Sequence, residues 1–295
     1  MGVPIGNYLA LAAVMFLFSA AASPADVKNG VAAKNITTVK FQSESLGQER
    51  FFNILLPLDY ESSTRRYPTL YLLHGYGQGG GSWSYMTNLS GYAARHKLII
   101  VMPDASNSWY VNAAADPKAH FEDYIVKDII GYVDSHYRTV PLPRARAVAG
   151  LSMGGYGAAF LGLKHYRLFT AMGTFSGALT AAHDLPTEHD TDEVRKFQQE
   201  ILPVFGAPGS PERQDRDPLA LVEKIPPAEM PMIYVACGGQ DGLLRENREF
   251  VRLLAEKKIP YEYREISPRS HSWDFWDDQV SIFLDLLHKR AGFSE

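Results

Sequence analysis

The sequence predicts an α/β fold, a mostly parallel, doubly wound sheet of about eight strands with an antiparallel hairpin at its N-terminal edge. Two observations predict it. Continuous apolar runs at 69–73, 98–102, 145–149, 169–175 and 232–237 are five to seven residues long, as expected of strands buried on both faces. Helical patterns separate them, at 121–136, 153–165, 243–257 and 273–290, so strand and helix alternate as βα repeats. A more mixed run at 261–266 adds a final strand. Residues 36–43 and 49–56 alternate in polarity around Leu46-Gly47 and supply the hairpin. Between 177 and 231 no convincing strand occurs, and a stretch of that length in a compact domain predicts a helical insertion placed over a site.

Composition narrows the function classes. The chain is 46% hydrophobic and 21% charged, which suits one folded α/β domain. Its 29 basic and 33 acidic side chains give a net charge of −4, and no run of Lys or Arg occurs, so nucleic acid is not an expected partner. The single cysteine, Cys237, cannot form an internal disulfide or a multi-cysteine metal site, and its apolar surroundings predict a buried small hydrophobe. No charged side chain appears before Asp26, residues 8–22 are almost wholly apolar, and Ala20-Ala21-Ala22 supplies small residues. This reads as an export signal over residues 1–22, cleaved after Ala22, leaving a single domain from 23 to 295 that is secreted or periplasmic, with no stable membrane insertion. The missing Lys or Arg at its start leaves a retained N-terminal anchor as the alternative.

Gly150-Leu151-Ser152-Met153-Gly154 matches G-x-S-x-G at the junction of a predicted strand and a predicted helix. The glycines are required sterically, because a turn this tight leaves no room for flanking side chains, and it holds the serine hydroxyl out over the sheet edge. A serine hydroxyl needs a base, and the base needs a third group to fix its tautomer. Asp241 follows the run at 232–237 and His271 follows the run at 261–266, the strand-end positions that an acid and a histidine take after such a serine. Asp184, Asp190, Asp192, Asp215 and Asp217, with His183 and His189, fall inside the insertion and follow no buried strand. The bland readings are a helix cap for Ser152, a turn for Asp241-Gly242 and a surface position for His271.

Acyl transfer passes through an oxyanion, which two backbone N–H groups should meet. Met153, the residue after the nucleophile, supplies one. Tyr76, in the glycine-rich loop His74-Gly75-Tyr76-Gly77-Gln78-Gly79-Gly80-Gly81, supplies the other, and His74 is expected to orient that loop. The same loop also matches G-x-G-x-x-G, with Asp104 closing the next strand, which is the signature of a dinucleotide-dependent oxidoreductase. That reading leaves Ser152, Asp241 and His271 unexplained.

His74-Gly75, Met102-Pro103-Asp104 with Trp109-Tyr110, the serine motif extended through Gly155-Tyr156-Gly157, Phe175-Ser176-Gly177 and His271-Ser272-Trp273 together resemble the esterase D family of α/β-hydrolases. The resemblance covers nearly all of the chain after the apolar segment. It implies an α/β-hydrolase fold and a serine esterase of the tributyrin, feruloyl and S-formylglutathione hydrolase kind. The implied residues are Ser152, Asp241 and His271, with oxyanion donors at Met153 and Tyr76, and no cofactor or metal is expected. The chain lacks the cysteine that S-formylglutathione hydrolases place near the oxyanion loop, which favours the tributyrin and feruloyl branch. The expected substrate is a short-chain acyl or aryl ester, small or polysaccharide-linked, and Trp83, Trp109, Tyr110 and Trp273 are candidates to line its pocket. Acyl transfer to a sugar or lipid alcohol, and a catalytically idle binding module, are the competing readings.

Overall fold

The structure, a computed structural model, describes residues 35–183, 191–290 and 293. The predicted export segment lies outside the described residues, as do Asp184, His189 and Asp190. Eight strands form one sheet: β1 (Ile36–Ser43), β2 (Gln48–Leu55), β3 (Thr69–Leu73), β4 (Ile99–Pro103), β5 (Arg146–Leu151), β6 (Ala171–Phe175), β7 (Met232–Gly238) and β8 (Glu262–Ile266). Their spatial order is β1-β2-β4-β3-β5-β6-β7-β8. The hairpin β1–β2 is antiparallel and joins β4 antiparallel, while every pair from β4 to β8 is parallel. Registers bring the carboxyl ends level: Leu73 pairs with Gly150, Leu151 with Phe175 and Gly238 with Ile266. Loops leaving these ends therefore share one rim.

The helices are α1 (Ser82–Met86), α2 (Leu89–Ala93), α3 (Phe121–Asp123, a wide π-type stretch Tyr124–Ile129, then Ile130–His136), α4 (Met153–Lys164), α5 (Asp192–Phe205), α6 (Pro211–Gln214), α7 (Pro218–Lys224), α8 (Leu244–Glu256) and α9 (Trp273–Arg290). The strands sort their side chains with period two into two cores. Tyr71, Val101, Val148 and Val235 face α3, α4 and α8, whereas Leu72, Ile100, Ala149 and Tyr234 face α1, α2 and α9. Because β3 to β7 are apolar on both faces, they have no solvated side, which is why their sequence shows unbroken runs.

The described part of the insertion is helical. In α5, Val194, Phe197, Ile201 and Phe205 recur at helical spacing and are buried, and the Thr191 side chain caps the helix by accepting from the Val194 N–H. The helices α1 and α2 are additions to the predicted set. Among the described residues no helix is long and apolar enough to cross a membrane.

Candidate active site

Strand β5 runs directly into α4 with Ser152 as the single intervening residue. A Cβ on Gly150 would come 2.3 Å from the Gly154 carbonyl oxygen, and one on Gly154 would come 2.5 Å from the Leu73 oxygen and 2.6 Å from the His74 oxygen. Both glycines are therefore steric requirements of the turn, and the first turn of α4 lies against the start of the Gly75–Gly81 loop. Ser152 has φ 53° and ψ −117°, a conformation L-residues rarely adopt. Three backbone hydrogen bonds hold it there: its N–H donates to Phe175 O (3.0 Å), and its carbonyl accepts from Tyr156 (3.0 Å) and Ala178 (3.2 Å). Strain persists where the surroundings over-determine it, as these bonds do.

Asp241 stands beyond β7, and its side chain is fully buried. His271 Nδ1 lies 3.1 Å and 3.0 Å from the two carboxylate oxygens, and the Leu243 N–H donates to Oδ1 at 2.8 Å. Burial pushes the Asp241 carboxyl up, but hydrogen bonding from His271 and Ser176, His271's charge and the Leu243 N–H outweigh it, so its pKa is lowered. A carboxylate at Nδ1 fixes that nitrogen as the N–H and makes Nε2 the basic nitrogen. The His271 ring is in turn set edge-to-face against Trp276, with centroids 4.8 Å apart, and the Trp276 indole N–H donates to Ser176 Oγ at 3.1 Å. Ser176 and Trp276 thus support the acid and the imidazole from behind. Neither role could be read from the sequence, where Phe175-Ser176-Gly177 carries only a family likeness and Trp276 belongs to no motif.

The loop after β3 is pinned at several backbone groups. Leu73 O accepts from Trp83 Nε1 (2.9 Å), His74 O from the Tyr110 hydroxyl (2.8 Å) and Gly75 O from His74 Nδ1 (2.8 Å). His74 Nε2 accepts from the Ala105 N–H at 3.1 Å, so the ring is neutral with its proton on Nδ1, and burial holds its pKa below the ordinary value. The Gly75, Gly77 and Gly80 N–H groups donate to Gln78 Oε1 (3.0 Å), Asn107 Oδ1 (2.7 Å) and Asp104 Oδ2 (3.3 Å). Among the described residues, the Tyr76 N–H makes no hydrogen bond to protein. The Met153 N–H, at the first position of α4, belongs to the helix-end donors that have no intrahelical acceptor.

These contacts correct the pocket assignment. Trp83, Trp109 and Tyr110 are 1%, 0% and 0% exposed, so none offers a ligand surface. Trp83 and Tyr110 instead hold the loop carbonyls, and Trp109 packs against Tyr76, Tyr156, Phe197 and Phe205. Trp273 is partly exposed and sits edge-to-face with Trp83 and Trp276. The dinucleotide signature is likewise explained away. Asp104 is paired with Arg50 (2.9 Å) and receives the loop's Gly80 N–H, and the only helix opening from the glycine run is the five-residue α1.

The family model named Esterase, described as "Putative esterase", matches residues 43–284, most of the chain. The chain belongs to the Esterase family. It is an enzyme of ester hydrolysis. An acetyl esterase of Caldicellulosiruptor saccharolyticus is 29% identical over 266 residues, covering 86% of this chain and 98% of its own. Among solved structures, a fluorophosphonate-binding serine hydrolase of Staphylococcus aureus superposes with a TM-score of 0.72 at 23% identity, over 85% of this chain and 97% of that one. A ferulic acid esterase superposes with a TM-score of 0.71 at 23% identity and the same coverage. Esterase-family sheets of this kind share the α/β-hydrolase architecture described above.

Proposed function

We propose that this esterase cleaves short-chain acyl or aryl carboxylic esters, of the acetyl or feruloyl type and on small or polysaccharide-linked alcohols, through an acyl-enzyme on Ser152. His271 Nε2 takes the Ser152 proton as Oγ attacks the ester carbonyl, and Asp241 holds the imidazole in the required tautomer and stabilises it when protonated. The Met153 and Tyr76 N–H groups meet the oxyanion. The proton passes from His271 to the departing alcohol, and water then releases the acid by the same route in reverse roles. The observation that carries this reading is the buried Asp241 carboxylate on His271 Nδ1, on the rim where Ser152 caps α4 in a strained turn. The acetyl esterase relative and the ferulic acid esterase likeness support the choice of acyl groups.

The test is a panel of p-nitrophenyl esters of rising chain length beside methyl ferulate and acetylated xylan. Activity confined to the short acyl or feruloyl members supports the proposal, and activity confined to long acyl chains overturns the substrate class. We also propose export directed by residues 1–22. N-terminal sequencing of the mature protein should begin at Ser23, and a protein beginning at Met1 rejects cleavage.

A further inference from the structure

The insertion meets the glycine loop at the Tyr76 side chain. Tyr76 directs its hydroxyl to Glu200 Oε1 on α5, a hydrogen bond between residues 124 positions apart in sequence. Its ring packs against Phe197 of the same helix and against Trp109, with centroids 6.2 Å and 6.3 Å away. Trp109 contacts both Phe197 and Phe205, so α5 is seated on an aromatic platform whose other members are Tyr76 and Tyr156 of α4. An unusual backbone presents the platform: Ser106, Trp109 and Tyr110 all have positive φ, 50°, 58° and 60°, in one five-residue stretch. Asn107, inside that stretch, fixes the loop on the other side of Tyr76 by accepting the Gly77 N–H.

From this geometry we infer that Glu200 is a positioning residue for the oxyanion site: it acts through the Tyr76 side chain to hold the Tyr76 backbone N–H at the angle the transition state needs. The inference deepens the catalytic reading above and rests on it. A phenol bonded to a carboxylate is a charge-assisted, directional contact, stronger than a neutral one. Burial and Glu200 together push the Tyr76 hydroxyl up to about 12, so it remains a donor throughout the neutral range. The peptides on either side are already held, the Gly75 N–H by Gln78 and the Gly77 N–H by Asn107, so the tie from the Tyr76 side chain to Glu200 adds the remaining restraint on the Tyr76 N–H between them. The insertion thereby sets rate.

The experiment compares Glu200→Ala, Glu200→Gln and Tyr76→Phe in the full chain with p-nitrophenyl acetate as the probe. Tyr76→Phe keeps the backbone N–H and the ring but loses the tie. Glu200→Ala and Tyr76→Phe are expected to lower kcat about tenfold with KM changed less than about twofold, since removing a whole oxyanion donor costs about 100-fold or more. The double variant should be no slower than either single one, because both remove the same contact. Glu200→Gln keeps an acceptor and should recover most of the rate. The rate of Ser152 labelling by a fluorophosphonate, whose adduct occupies the oxyanion position, should fall in parallel with kcat. Unchanged kcat, losses confined to KM, or additive losses overturn the role of Glu200. Labelling of the unaltered chain at a residue other than Ser152 overturns the catalytic reading itself, so the two failures are distinct.

Discussion

Two histidine–aspartate pairs in this molecule are built alike and stand in different places. Asp241 accepts the N–H two residues on, from Leu243 at 2.8 Å, and receives His271 Nδ1 at 3.0 Å. Asp217 accepts the N–H two residues on, from Leu219 at 2.9 Å, and receives His183 Nδ1 at 2.7 Å. Both carboxylates are buried. The rings differ: His271 is 7% exposed and set against Trp276, whereas His183 is 47% exposed at the edge of the insertion. Asp217 caps α7, while Asp241 stands in the loop just beyond β7, a strand two places from β5 in the sheet. A histidine gripped by a carboxylate is thus a common local device. What sets the Asp241–His271 pair apart is the sheet register, which puts the loops that carry it on the same rim as Ser152.

Ser152 is the residue against which both pairs are measured. Ser152→Ala should lower kcat by about a millionfold while circular dichroism and Tm stay near those of the parent, and retention of turnover would remove the nucleophile from the scheme. Next, Asp241→Asn should cost about 10⁴ in kcat by presenting His271 in the wrong tautomer. The matching changes Asp217→Asn and Asp215→Asn, the latter at an exposed carboxylate paired with Lys164, should leave kcat within about twofold. An exchange of these results would move the acid into the insertion.

Gly154→Ala must displace the backbone of Leu73 and His74, so it should lose about 1–3 kcal/mol of stability, read as a lower urea midpoint, together with activity. The smallest effect concerns pH. Burial lowers the pKa of His74 and His96 in the folded chain, and an unfolded chain takes those protons near pH 6.5. Folding therefore carries fewer protons below that value. The contribution of these neutral rings is intact above about pH 6.5 and is lost as pH falls through their lowered folded values. Calorimetry between pH 7 and pH 5 should show Tm declining, with a shallower slope for His96→Gln. A Tm that rises on acidification contradicts it.

Much of the sheet was legible because its central strands have no solvated face, so a run such as 232–237 shows nothing but apolar residues. The ends were less so. Gly150 and Leu151 read as a motif, yet both belong to β5, where Gly150 pairs with Leu73. The short helices α1 and α2 have too few turns to show a period, and α1 is fastened by Trp83 reaching back to Leu73 O, a contact no local pattern encodes. The same limit governs the site. Ser152, Asp241 and His271 could be singled out because each follows a recognisable strand. The fates of Trp83, Trp109 and Tyr110 could not, since exposure depends on which elements close over a residue. Asn107 and Glu200 have no motif of their own, Ser176 has only a family likeness, and the significance of all three exists in contacts made across long stretches of chain.

The turn at Ser152 has a consequence for how this chain can change over generations. Its φ of 53° and ψ of −117° mirror an ordinary extended conformation, which glycine enters without resistance. Ser152→Gly should therefore be inert toward esters and yet melt at a higher temperature than its parent, by the equivalent of about 1 kcal/mol. Under the proposed mechanism, folding and reactivity select opposite residues at this one position. A lineage released from the need to cleave esters would meet no penalty in drifting to glycine here, so a glycine at the elbow of a relative would mark lost chemistry in an intact fold.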